Sequence, residues 1–245
     1  MKCHICNNPI SGNYYIDSWD HKVCATHIDS GEVAACSSCT GFTDKTNSLP
    51  DGRVLCQVCM NNAITKSDNI TPLFEFTIKN LRRVGFDDLN VEDVSVEVVT
   101  AEFMANLRGG VVNTRNKGLA QSRVSNSFGL FGSSRKMQHT IYMLSHQPKA
   151  EFVGTLAHEL LHAWQVQNEI APPPPLCEGL CNLASYHVLS VMPSSLSKVL
   201  INNMKISPDP IYGDGFRTVL EMYEDVEWSG VIDFYRQKTF PKFNL

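Results

Sequence analysis

Apolar positions are unevenly spread along this chain. The first 60 residues, rich in Gly, Asn, Ser and Asp, offer little to bury, whereas later segments show regular periodicity. Within 72–84, Phe74, Ile78 and Leu81 recur at helical spacing. The β-branched run Val94–Thr100 predicts a strand, and Ala101–Leu107 a short helix. From Arg108 to Lys136 the chain is rich in Gly, Asn, Ser and Arg, with an exposed edge strand expected around Leu119–Val124. Gln138–Leu144 predicts a further strand, leading into 150–168. There apolar residues lie almost all round the helix, so it should be buried. The run Ala171–Pro175 reads as a stiff turn, after which Leu176–His187 begins a second apolar segment that can fold back on the first.

The chain has 245 residues, enough for a large and a small domain, with 43% hydrophobic and 19% charged residues. A formal charge of −4 argues against a nucleic-acid or anionic-membrane binder. No apolar run approaches the roughly 18 residues needed to span a membrane. The start, Met1-Lys2-Cys3-His4, carries no apolar signal core, so a cytoplasmic protein is expected.

Seven of the nine cysteines lie in the first 59 residues, and their spacing repeats. Cys3-x2-Cys6 is followed by Cys24-x2-His27, and Cys36-x2-Cys39 by Cys56-x2-Cys59. Two residues between ligands let a tight turn aim both at one ion, and Zn²⁺ accepts four such donors tetrahedrally. A first structural zinc is therefore expected on Cys3, Cys6, Cys24 and His27, with His21 as the alternative fourth ligand. A second is expected on Cys36, Cys39, Cys56 and Cys59. In so small a core, metal binding would supply most of the folding free energy, on the order of 10 kcal/mol per site.

The buried helix contains His158-Glu159-Leu160-Leu161-His162. Histidines at i and i+4 share a helix face and can reach one Zn²⁺, while Glu159 projects beside them as a proton acceptor. Without a partner, two histidines and a carboxylate in an apolar helix would cost several kcal/mol. A catalytic zinc needs a third protein ligand; Glu169, Glu178 and His187 are the candidates downstream. Asn182, one turn past Glu178, is placed either to orient His158 or to serve as a plain amide on the helix surface. Cys177 and Cys181 read as small buried hydrophobes. For an oxyanion donor the candidates are Tyr212, Arg217 and His187, with Tyr212 preferred; the alternative for Tyr212-Gly213-Asp214-Gly215 is a structural turn.

Ala35–Cys39 together with Leu49–Cys59 resembles the second finger of a LIM domain, a double zinc-finger interaction module. The first finger departs from that pattern. Its second pair is Cys24-x2-His27, and eight residues separate His27 from Cys36, so the module's rigid finger stacking is not carried over. Added to Ala157–Trp164, Cys177–Cys181, Tyr212–Arg217 and Thr239-Phe240-Pro241, it makes nearly the whole chain resemble the LIM-domain-containing, ubiquitin-activated metallopeptidases that limit organ growth in plants.

That resemblance implies an α+β chain: a LIM-like double zinc finger over 1–60, then a zincin, gluzincin-like metallopeptidase domain over 61–245. The latter would comprise a mixed lobe over 61–149 with a substrate-binding edge strand and a mainly helical lobe over 150–245. It implies His158, His162 and Glu178 as ligands of a catalytic zinc and Glu159 as base, giving one catalytic and two structural Zn²⁺. The expected activity is endopeptidase hydrolysis of intracellular proteins, with the LIM-like unit recruiting substrate or a protein partner, or regulating the cleft. The rival is an inactive LIM-containing adaptor. Two features differ from the family: its ubiquitin-interacting helices precede the LIM domain, whereas here the first ligand is residue 3, and Cys177 stands where it has a second acidic residue. Dependence on ubiquitin is therefore not carried over, and a compact, stand-alone relative fits both departures.

Overall fold

A computed structural model describes residues 1–129 and 132–237, which form an α+β arrangement; the expected Thr239-Phe240-Pro241 motif lies outside the described residues. Each finger contains a short antiparallel hairpin: β1 (Tyr14–Ile16) with β2 (Lys22–Cys24), followed by α1 (Ala25–Asp29), and β3 (Val33–Ala35) with β4 (Phe42–Asp44), followed by α2 (Gln57–Asn61). The fingers are joined despite the long spacer. The buried Asp17 carboxylate accepts from the amides of Trp19, His21 and Phe42, and Trp19 Nε1 donates to Cys39 O at 3.0 Å.

Beyond the fingers, β5 (Ala63–Ile64) precedes α3 (Thr71–Arg82), β6 (Val94–Val99), α4 (Ala101–Leu107), β7 (Gly118–Gly129), β8 (Gly132–Leu144) and β9 (Gln147–Pro148). The main sheet has the order β6-β8-β7, with β6 parallel and β7 antiparallel to β8, leaving β7 on an edge. β7 and β8 run much further than the predicted strands. Their ladder continues through polar pairs such as Ser125↔Lys136. Main-chain bonds sustain it where apolar alternation, the signal used on the sequence, is absent.

Four long helices follow among the described residues: α5 (Lys149–Gln167), α6 (Pro174–Val191), α7 (Ser195–Ile206) and α8 (Gly213–Gln237), the last broken at Glu227, which has φ 55°. Phe152, Leu156, Leu160, Leu161 and Trp164 bury α5 within the main core. Gly154 permits close approach of α6, because a β-carbon there would sit 3.1 Å from Leu189. The proline run contributes helix as well as turn: Pro174 and Pro175 open α6, where a missing N–H removes no helical bond. At Gly179 the α6 backbone meets α8 so closely that a β-carbon would collide with the Gly215 carbonyl oxygen.

The second finger is built into this frame. β5 pairs with β9 immediately before α5, Ser38 Oγ donates to Glu151 Oε2 at 2.7 Å in a buried bond, and Lys117 Nζ lies 3.4 Å from Glu151 Oε1.

Candidate metal centres and cleft

In the first finger the ligand atoms of Cys3, Cys6, Cys24 and His27 lie within 4.8 Å of one another, as do those of Cys36, Cys39, Cys56 and Cys59 in the second. Asn7 and Thr40, each just past a Cys-x2-Cys pair, adopt φ 60° and donate back to Cys3 O and Cys36 O. The same tight turn thus aims both thiol pairs. His27 Nδ1 meets Glu32 at 2.8 Å, the type of carboxylate partner that orients a ligating imidazole. His21 instead pairs with Asp17 and stacks on His4, away from the sulfurs.

The electrostatics of these clusters suit a cation. Burial works against ionising Cys3, but the amides of Cys24, Cys6 and Ile5 outweigh it and lower its pKa to about 6, while burial and the neighbouring Cys3 push Cys24 up to about 11. In the second cluster, hydrogen bonds from Cys39 and Cys59 drive Cys36 down, and Cys39 is pushed up to about 12. Four thiols this close cannot all ionise unless positive charge joins them. Both clusters could hold a metal ion, and their donor sets are those of zinc.

The third constellation spans α5 and α6. His158 Nε2 and His162 Nε2 stand 3.2 Å apart, with Glu178 Oε2 at 3.0 and 3.6 Å from them. Buried Glu178 Oε2 has no hydrogen bond of good geometry despite these neighbours. Each Nδ1 faces away. His158 Nδ1 donates to Asn182 Oδ1 at 3.0 Å, an orientation set because Asn182 Nδ2 donates to Tyr212 O. His162 Nδ1 lies 3.5 Å from Cys181 Sγ and 3.8 Å from Cys177 Sγ. Both sulfurs meet the ring at Nδ1, whereas Glu178 meets it at Nε2. Burial would lower the His162 pKa, yet Cys177, Glu178 and Glu159 push it up to about 11; burial would raise Glu178, yet the two imidazoles hold it at about 2. The residues present fit a divalent cation on the two Nε2 atoms and Oε2.

Glu159 is 6% exposed and sits against the start of β7, where an ideal β-carbon on Gly118 would lie 2.5 Å from its Oε1. Both belong to a cavity of about 1140 Å³ that also takes in His158, His162, Glu178 and Tyr212. The Tyr212 ring stacks 6.4 Å from that of His158. The other oxyanion candidates are elsewhere: Arg217 donates to Lys205 O and Ser207 O, and His187 packs on Trp228. Glu169, in the turn after α5, does not join the cluster. The glycines of Tyr212-Gly213-Asp214-Gly215 serve packing, since β-carbons on Gly213 and Gly215 would strike the carbonyls of Ser207 and Pro175.

The thiols of Cys177 and Cys181, whose i, i+4 spacing beside Glu178 reads as small buried hydrophobes in preference to a thiol-metal role, face His162 Nδ1. Arg108 Nη2 donates to Gly118 O at 3.1 Å, a contact between distant residues that no local pattern announces.

Comparison with known proteins returns distant homologues of one kind, all from Arabidopsis thaliana. Protein DA1-related 2 is 26% identical over 220 residues, covering 76% of this chain and 41% of the relative. Protein DA1-related 7 is 25% identical over 303 aligned residues, covering 99% and 54%. Protein DA1-related 6 is 24% identical, covering 90% and 44%. The chain thus spans about half the length of the curated relatives it matches. No family model matches, and no solved structure matches. Among the described residues, no helix is long and apolar enough to cross a membrane.

Proposed function

We propose that this protein is a zinc-dependent endopeptidase of gluzincin-like zincin type that hydrolyses peptide bonds of intracellular proteins, with a LIM-like double finger that recruits or regulates. The observation carrying this reading is the convergence of His158 Nε2, His162 Nε2 and the unbonded Glu178 Oε2, with Glu159 alongside. His158, His162 and Glu178 would hold a zinc ion with three protein ligands, the number found at catalytic rather than structural sites. When bound, zinc supplies Lewis-acid polarisation of the scissile carbonyl and acidifies water. Glu159 accepts the proton of the attacking water and passes it to the departing amine nitrogen. The exposed edge of β7 binds the substrate main chain as an added strand, giving affinity largely independent of sequence. Asn182 keeps the His158 Nε2 lone pair free for the metal. The Tyr212 hydroxyl donates to the developing oxyanion.

Two further Zn²⁺ on the Cys3 and Cys36 clusters hold the fingers, whose outer surfaces offer a site for a protein partner. The decisive experiment pairs metal analysis with proteolysis. Wild-type protein should carry three zinc ions and cut an unfolded protein substrate. Glu159→Gln should keep all three and lose cleavage by at least a hundredfold, whereas His158→Ala should lose one zinc. A Glu159→Gln protein that retains wild-type cleavage sinks the proposal.

A further inference from the structure

One end of the cleft is lined by Arg108, Arg115 and Lys117, a basic cluster in a chain with a net charge of −4. Lys117 is committed to Glu151 and to Ser37 O. Arg108 and Arg115 have no carboxylate within ion-pair distance among the described residues.

The backbone shows where this charge stands relative to a bound peptide. Lys117 O accepts from Leu144 N, so the polar groups of Lys117 point into the sheet. Successive residues of a strand face opposite edges, which puts the Gly118 carbonyl on the open side of β7. Arg108 Nη2 occupies that carbonyl and ends the free edge there. A peptide adding antiparallel to β7 runs toward Gly118, so its residues after the scissile bond arrive at Arg108 and Arg115. A guanidinium carries five N–H donors in a planar fork, and Arg108 spends one on Gly118, leaving donors suited to a carboxylate.

We propose that the cleft recognises a carboxylate on the leaving-group side of the scissile bond, through Arg108 with support from Arg115. The carboxylate is an Asp or Glu side chain or the terminal carboxyl of the peptide itself. This rests on the endopeptidase reading for its peptide direction.

The test uses zinc-loaded full-length Glu159→Gln protein and three fluorescein-labelled peptides of one sequence. One has Glu on the C-terminal side and an amidated end, one Gln with an amidated end, and one Gln with a free carboxyl end. Anisotropy titration should show at least tenfold tighter binding of one or both carboxylate peptides, and which of them identifies the source. Adding Arg108→Gln should abolish the difference with zinc content and circular dichroism unchanged, while Arg108→Lys should keep part of it. Equal or absent binding of the three peptides, or a preference that survives Arg108→Gln, overturns the proposal. Wild-type protein is assayed in parallel for cleavage of the same peptides. A binding preference without any cleavage defeats the endopeptidase reading alone; cleavage without a preference defeats the carboxylate site alone.

Discussion

Gly118 lies so close to Glu159 that a single methyl group on the glycine would meet the carboxylate at 2.5 Å, its Cγ at 2.7 Å and Thr155 at 2.8 Å. The strand that would carry the substrate and the group that would move the proton are thus in contact. Gly118→Ala should lower kcat at least tenfold with three zinc ions retained, since the methyl displaces Glu159 but none of the three ligand atoms. Steady-state kinetics with metal analysis checks this; an unchanged kcat would show that Glu159 has room to move.

Asn182 would act on a bound cation through the hydrogen bond it accepts from His158 Nδ1. Asn182→Ala should weaken zinc at the central site by about tenfold to a hundredfold and leave the fingers loaded. Competition with a chelator of known affinity, read as zinc released per chain, separates one weakened site from general loss.

His139 gives the fold a pH dependence separate from any metal. It is 1% exposed, shares a 2.7 Å hydrogen bond with Ser122 through Nδ1, and has no partner at Nε2. Burial lowers its pKa, with Asp93 opposing. The unfolded chain therefore takes up this proton at higher pH than the folded one. The stability advantage is full above about pH 6.5 and declines as pH falls toward the folded-state pKa, by at most about 1.4 kcal/mol per pH unit. Urea titrations between pH 7.5 and 5.5 should show a shallower decline for His139→Gln than for wild type. Parallel curves would refute the assignment.

Ser38 and Glu151 connect the second finger to the first turn of α5. Ser38→Ala leaves a buried carboxylate with Lys117 as its remaining ion-pair partner and should destabilise the protein by about 1–3 kcal/mol. Hydrogen exchange should quicken at the start of α5 and around Lys117, and Cys59→Ser should enlarge the same pattern. Exchange confined to the finger would mean that the two parts unfold independently.

The helices were readable where burial imposes a period. Phe74, Ile78 and Leu81 outlined α3, and α4 occupies the segment read for it, started by Thr100, whose hydroxyl accepts from Phe103 N. The Cys-x2-Cys turns were readable because ligand spacing is local. What the sequence left open depended on contacts between remote segments. Local pattern alone offered Glu169, Glu178 and His187; the family resemblance pointed to Glu178, and the packing of α6 on α5 places it beside the imidazoles. The long polar ladder of β7 and β8 is stabilised by main-chain bonds, which no side-chain pattern records. Arg108 meets Gly118 only once α4 and β7 are in place.

The glycine contact between α6 and α8 has one more consequence. Gly179 directly follows Glu178, and with no side chain on either face the two backbones touch like hard stops. The depth to which Glu178 reaches toward the histidines is therefore gauged from the far end of the chain, by a helix that contributes no ligand. Bulk added at Gly179 or Gly215 would detune the acid's reach while leaving every donor in the sequence intact.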